Sequence, residues 1–372
     1  MQDQGQKKRV PELDILKGIT IALVVIGHTR VPGNSFIYLF HMAVFFIASG
    51  VFYSGRASRT VQTAWHFTVK KIRALWLPFA LGISLFTLLN NIFVRIGVLT
   101  DNTDIYQYVE APYASVHPML SAGEMLKNIL KTFAFSGSAQ LAGTFWFFKT
   151  LFLVSVLYCW LEWMLRHLFR WPEEQTKQML ALQCAISLLF LLCGYLLAAR
   201  GIGLGGLTRT LLVYCLYFGG SLFRKLQSIS LRVAGVMGII GLLVLLFCGR
   251  FGTIALDRME IVNPLFYLLC SFAGMFFLYG ASRCLHHFFP RMGVVVGYMG
   301  RHSMAIMIGH FLSFKLISYG IVAANRMPIF CAAAFPVLLD TGLWWIAYGA
   351  AGIALPLLVQ KIWKKSAARF WR

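Results

Sequence analysis

The chain has 372 residues, is 59% hydrophobic and only 13% charged, and carries a formal net charge of +21. A soluble domain holds about 25% charged residues. With a mean hydropathy of +0.71 and apolar runs of bilayer length from end to end, the composition excludes a soluble globular protein and describes a polytopic membrane protein.

Ten spans are expected, near residues 12–30, 35–54, 75–97, 144–165, 179–199, 207–223, 232–250, 263–282, 297–321 and 341–361. They make one all-α membrane domain over 1–372, with short tails at 1–11 and 362–372 and one long connection at about 98–143. Segments sharing the N-terminal side hold 21 Lys and Arg, among them Lys7, Lys8, Arg9, Arg224, Lys225, Arg369 and Arg372. The other side holds nine, and the positive-inside rule then sets both termini in the cytoplasm. The basic excess is thus a topology signal, with anionic lipid or cofactor contact as a secondary role. It argues against nucleic acid as a partner.

The first span reads Leu13-Asp-Ile-Leu-Lys17 through Gly27-His28. Basic residues precede it, but its interior Lys17 and the lack of a small-x-small site argue against a cleaved signal peptide. Eleven residues separate Lys17 from His28, which brings both to nearly one azimuth on a helix, about 16 Å apart along the axis. Ionisable groups within a bilayer are costly unless they line a cavity. The second span carries His41, 13 residues after His28, and the short connection with Pro32 and Gly33 makes the two helices antiparallel. Two imidazoles on adjacent helices, with a cation on the same stripe, are the best lead to chemistry.

Segment 55–73 mixes Arg56, Arg59, Lys70, Lys71 and Arg73 with Trp65 and Phe67. It is expected to form a helix lying in the membrane interface, for topology control or as a phosphate-binding rim. The connection 98–143 carries Tyr106, Tyr108, Tyr113 and four acidic residues, which suit either a polar acceptor such as a carbohydrate or a solvated cap. Residues 201–206, Gly-Ile-Gly-Leu-Gly-Gly, match GxGxxG. No strand precedes them and no ribose-binding carboxylate follows, so a tight interhelical turn is expected. Eight cysteines show no CxxC and no metal-ligand spacing; they read as small apolar packing residues, and no metal is expected. No internal repeat supports an inverted-repeat transporter.

Asp14-x-x-Lys17-Gly18, the Lys17-x10-His28 spacing and Phe40-His41-Met42 with Phe45-Phe46 and Ser49-Gly50 resemble the membrane acyltransferase type 3 family. The fucose 4-O-acetylase-like and other cell-surface carbohydrate O-acetyltransferases belong to it. Lys71-x-Arg73-x-Leu75-x-x-Pro78, Thr144-Phe-Trp146-Phe-Phe148 and Gly300-Arg-His-Ser303 through His310 are similar to further family segments. The likeness runs from about residue 9 to 361, with the first two spans its specific part. Two departures are visible: the family often has Arg at Lys17, and a proline where Ala43 stands, so charge is kept while the guanidinium fork is lost.

The resemblance implies transfer of an acetyl or similar short acyl group from acetyl-CoA, or another acyl-CoA, to a carbohydrate hydroxyl. The acceptor is expected to be an exported or lipid-linked glycan. The expected setting is a multi-pass protein of the bacterial plasma membrane, surrounded by membrane lipids. On this reading His28 is the general base. His41 orients it, binds the acceptor hydroxyl or donates to the oxyanion. Lys17 holds an anionic part of the cofactor, with Asp14 one turn away as counter-ion. Arg73 and Arg301 are candidates for CoA contact. Trp146 stacks on a sugar or packs, and His310 lines a cavity or makes a structural hydrogen bond. Direct transfer and a route through acetyl-His28 both fit. The competing class is a glycan exporter or a membrane subunit of a glycan-assembly system. It would predict paired intramembrane carboxylates or broken midplane helices, whereas the titratable groups within these spans are basic or imidazole.

Overall fold

The computed structural model describes residues 10–170, 177–223 and 229–370, with side chains to residue 366. Of the basic residues singled out above, Lys7, Lys8, Arg9, Arg224, Lys225, Arg372 and the Arg369 side chain lie outside the described set. In chain order the helices are α1 (Pro11–Gly27), α2 (Asn34–Tyr38), α3 (His41–Val51), α4 (Val61–Lys71), α5 (Leu77–Leu88), α6 (Asn90–Arg95), α7 (Ile105–Tyr108) and α8 (Ala122–Phe133). They continue with α9 (Trp146–Leu168), α10 (Lys177–Ala199), α11 (Leu207–Phe223), α12 (Leu231–Cys248), α13 (Pro264–Phe288), α14 (Pro290–Arg301), α15 (Ser303–Ala324) and α16 (Trp344–Phe370). Among the described residues the only β pairing is an isolated bridge between Ala255 and Glu260.

Among the described residues, eight helical segments are long and apolar enough to cross a membrane. The other two expected spans are α1 and α11, 17 residues each, at the lower limit of about 17–25 residues for a bilayer. Both are central. α1 packs against α3, α13, α14, α15 and α16, and α11 against α3, α9 and α10. The peripheral α10 and α12 instead expose leucine, isoleucine and phenylalanine, among them Leu189, Ile239 and Leu243. A contiguous apolar belt of that kind is the lipid-facing surface of the bundle.

Glycines set the closest crossings. A Cβ on Gly18 would penetrate the Val296 carbonyl of α14, and one on Gly300 the Asp14 carbonyl of α1. Gly50 and Gly220 bring α3 and α11 together in the same way. Small residues at crossings let backbones touch, and dispersion rather than the hydrophobic effect then holds the helices in lipid.

The structure corrects three boundaries. Segment 55–73 is not a separate interfacial helix: α4 runs through a π-helical stretch, Ile72–Trp76, into α5 as one 28-residue helix. The second span is broken at Phe40 (φ −145°, ψ −24°), whose buried ring packs onto Gly274 of α13. The ninth is divided at His302 into α14 and α15. The expected interhelical turn at 201–206 is present, with Gly201, Gly205 and Gly206 at positive φ. The described cysteines are all free thiols.

Candidate functional site

α1 begins at one face of the bundle and delivers His28, its C-terminal cap, to the other. There His28, His41, Trp146, Tyr38, Thr144 and Asp257 line one small chamber. The break at Phe40 makes this geometry. In an unbroken helix the His41 amide would take the Ile37 carbonyl; here the His41 Nδ1–H donates to it at 2.8 Å. A neutral His41, only 4% exposed, therefore carries its lone pair on Nε2. The His28 ring is held by packing, stacked on His310 at 5.5 Å between centroids and 18° between planes, and tilted against Phe311 at 4.9 Å.

His310 is fully buried and does not line this chamber. Its Nδ1–H donates to the Ile306 carbonyl at 3.0 Å, while Nε2 has no hydrogen-bond partner. Phe311 in turn packs on Phe335 at 4.6 Å. Phe335 follows a segment pinned from within the bundle: Lys315 Nζ donates to the carbonyls of Ala332, Ala333 and Ala334 at 3.3, 2.9 and 2.7 Å. The back wall of His28 is thus fixed by a chain of contacts ending in a buried lysine.

A second cavity, of about 410 Å³, lies toward the face where α1 begins. Asp14, Lys17, Arg301, Ser303 and Met304 line it together with Phe147 and Leu151 of α9. Lys17 Nζ sits 3.8 Å from the centre of the Phe52 ring. Asp14 pairs with Arg301 at 3.6 Å, so the carboxylate expected to neutralise Lys17 has a guanidinium partner as well. Arg73 is exposed on the π-helical stretch and does not line the cavity; that helix contributes Leu75.

Lys17 in one space and His28 in the other stand about 16 Å apart along α1, by its rise per residue. Between them Thr144, which lines the histidine chamber, donates to the carbonyl of Met307, which lines the cavity, at 3.1 Å. Phe147 packs on Phe45 and Phe46 at 5.4 and 5.2 Å in the same partition.

Of the residues expected from sequence, the structure gathers Lys17, Asp14 and Arg301 at one space and His28, His41 and Trp146 at another, while Arg73 and His310 line neither. Sequence reasoning missed Asp257, Tyr38 and Arg209. Arg209 sits over the Trp146 ring at 4.8 Å and donates to the Leu256 and Asp257 carbonyls at 2.8 and 2.5 Å, which fixes Asp257 at the chamber. No periodicity marks the connection 249–263, and its carboxylate is not near either histidine in sequence. The only available signal was an arginine at the start of an apolar span.

The acyltransferase domain family, type 3, matches residues 10–361. The chain belongs to this family, and with its apolar helices it is a multi-pass membrane acyltransferase. Comparisons with curated proteins and with solved structures return no match.

Proposed function

We propose that the protein moves an acetyl or similar short acyl group from acyl-CoA to a hydroxyl of an exported or lipid-linked carbohydrate. The observation that carries this reading is the pairing of His28 and His41 in one small chamber, a single helix length from Lys17. The basic cavity opens toward the side expected to be cytosolic, where acyl-CoA is made. Lys17 and Arg301 supply positive charge there for an anionic part of the donor. The acyl end reaches His28 past the Thr144–Met307 partition.

In the chamber His28 removes the acceptor hydroxyl proton as the oxygen attacks the thioester carbonyl. The C–S bond then breaks and the departing sulfur takes the proton back from His28, so the protein ends unchanged. General-base assistance of this kind contributes about 10²–10⁴-fold. His41, with Nδ1 committed to Ile37, offers Nε2 to the acceptor; donation to an oxyanion would require it protonated. Trp146 has one face near Arg209, and its other contacts form the chamber wall.

Mass spectrometry of surface glycans from cells with and without the gene tests the reaction class. An acyl mass increment restricted to cells carrying the gene is expected; identical glycans in both would contradict it.

A further inference from the structure

A separate polar cavity of about 290 Å³ lies on the opposite face from the Lys17 cavity, between α5, α8 and the segment before α9. Its polar wall is Thr87, Asn90, His117, Glu124, Asn128 and Gln140. The frame is built by hydrogen bonds. Asn128 donates to Thr87 Oγ1 at 2.8 Å and to the Ser138 carbonyl at 2.9 Å, joining α8 to α5 and to the chain entering α9. Asn90 donates to the Pro118 carbonyl at 3.1 Å, and Asn91 exchanges two bonds with Leu120. Within this frame Gln140 Oε1 is buried with no hydrogen-bond partner, an acceptor whose desolvation a ligand donor would offset.

The chemistry of the wall selects a ligand. Among the described residues no Lys or Arg lines the cavity, and the one carboxylate, Glu124, already accepts from the Ser121 amide and hydroxyl at 2.8 and 2.7 Å. That setting disfavours phosphates and other anions. Burial and the nearby Lys315 hold His117 below the usual imidazole range, and its Nε2 meets Ser115 Oγ at 3.1 Å, which leaves Nδ1 for a ligand. Phe86, Phe93 and Leu141 supply apolar wall. Neutral hydrogen-bonding groups on one side and carbon on the other match a sugar ring, and the volume is close to the ~300 Å³ lower bound of small-molecule sites.

The position of α8 adds the setting. Asn128 and Thr132 face inward, whereas Leu126, Leu130 and Phe133 form an exposed apolar stripe. A 12-residue helix is too short to span; with its stripe outward and Lys127 and Lys131 beside it, α8 lies at the bilayer boundary. Its cavity is therefore open to sugar carried at a membrane surface. Gln140 and Leu141 line this cavity, and Thr144 and Trp146 of the same segment line the histidine chamber.

We propose that the cavity beneath α8 binds a neutral, hydroxyl-rich sugar unit and holds it beside the His28–His41 chamber. Its role as an acceptor subsite rests on the acyl-transfer reading; its ligand chemistry does not.

The test uses the full chain in lipid nanodiscs and diazirine-bearing octyl glycosides of glucose, galactose, mannose and N-acetylglucosamine, with adducts mapped by peptide mass spectrometry. At least one probe is expected to label residues 86–93 or 117–141, with competition by its unlabelled octyl glycoside and not by octyl phosphocholine. Gln140→Leu, and Asn90→Leu on another wall, each reduce this labelling at least about fivefold, the equivalent of one hydrogen bond; Gln140→Leu, whose Oε1 bonds nothing in the frame, does so with an unchanged thermal midpoint. Equal competition by the methyl glycoside assigns a water-soluble sugar, and competition by the octyl form alone assigns a lipid-carried one. His28→Ala should label as wild type does, so loss of acyl transfer and loss of sugar binding are read separately. Labelling spread over the lipid-facing helices, displaced by octyl phosphocholine, or indifferent to both variants overturns the proposal.

Discussion

His41 and His310 meet the demand of a buried imidazole in the same way: each donates Nδ1–H to the carbonyl four residues back. The bond removes one orphaned donor from an apolar interior and fixes the neutral tautomer, leaving Nε2 as an acceptor. Only His41 of the two lines the chamber, so only its Nε2 stands at the site of the proposed acyl transfer. Substitution separates the two functions of this ring. His41→Asn keeps a short N–H donor able to reach the Ile37 carbonyl but removes the Nε2 base. It is expected to fold and to lose about 10²-fold or more in kcat. Wild-type turnover in His41→Asn, measured on purified protein, would reduce His41 to a structural hydrogen bond. The pairing of His28 with His41 was readable from two histidines 13 residues apart around a short turn. The stack of His310 on His28 was not, because it joins residues 282 positions apart through a helix crossing that no local pattern encodes.

At the scale of elements, interruptions matter as much as spans. Hydropathy periodicity finds apolar stretches, and it read 35–54 and 297–321 as unbroken because Phe40 and His302 do not disturb the apolar average. The actual break at Phe40 comes from packing, a ring seated on Gly274 of a helix more than 200 residues away. The opposite error occurred at 55–73, where basic residues suggested an interfacial helix and the backbone continues through a π-helical stretch into α5. Charge density reports position relative to headgroups, not continuity of hydrogen bonding. The partition between the two spaces belongs to this scale too, since it is made where the start of α9 meets α15. Met307→Trp adds bulk at that wall and leaves the Lys17 and His28 side chains in place. It is expected to lower kcat at least about tenfold, by misplacing the acyl end. If kcat is unchanged, the acyl group does not pass this wall.

For the molecule as a whole, composition was enough to establish an all-helical membrane bundle, and ten expected spans correspond to eight long helices plus the 17-residue α1 and α11. The two short ones both pack at the centre of the bundle, so neither needs to match a bilayer face along its full length. What composition could not convey is the division of the site into a basic cavity and an imidazole chamber, which depends on α3, α9, α14 and α15 meeting beside α1. That division gives the proposed reaction its direction, from donor charge at one face to acceptor hydroxyl near the other. The most direct test is mass spectrometry of surface glycans from cells expressing wild type or His28→Ala at equal levels in the membrane, with acetyl-CoA binding measured on both purified proteins. Loss of the acyl increment in His28→Ala, with donor binding retained, is the predicted result. An increment that persists in folded His28→Ala would contradict the account.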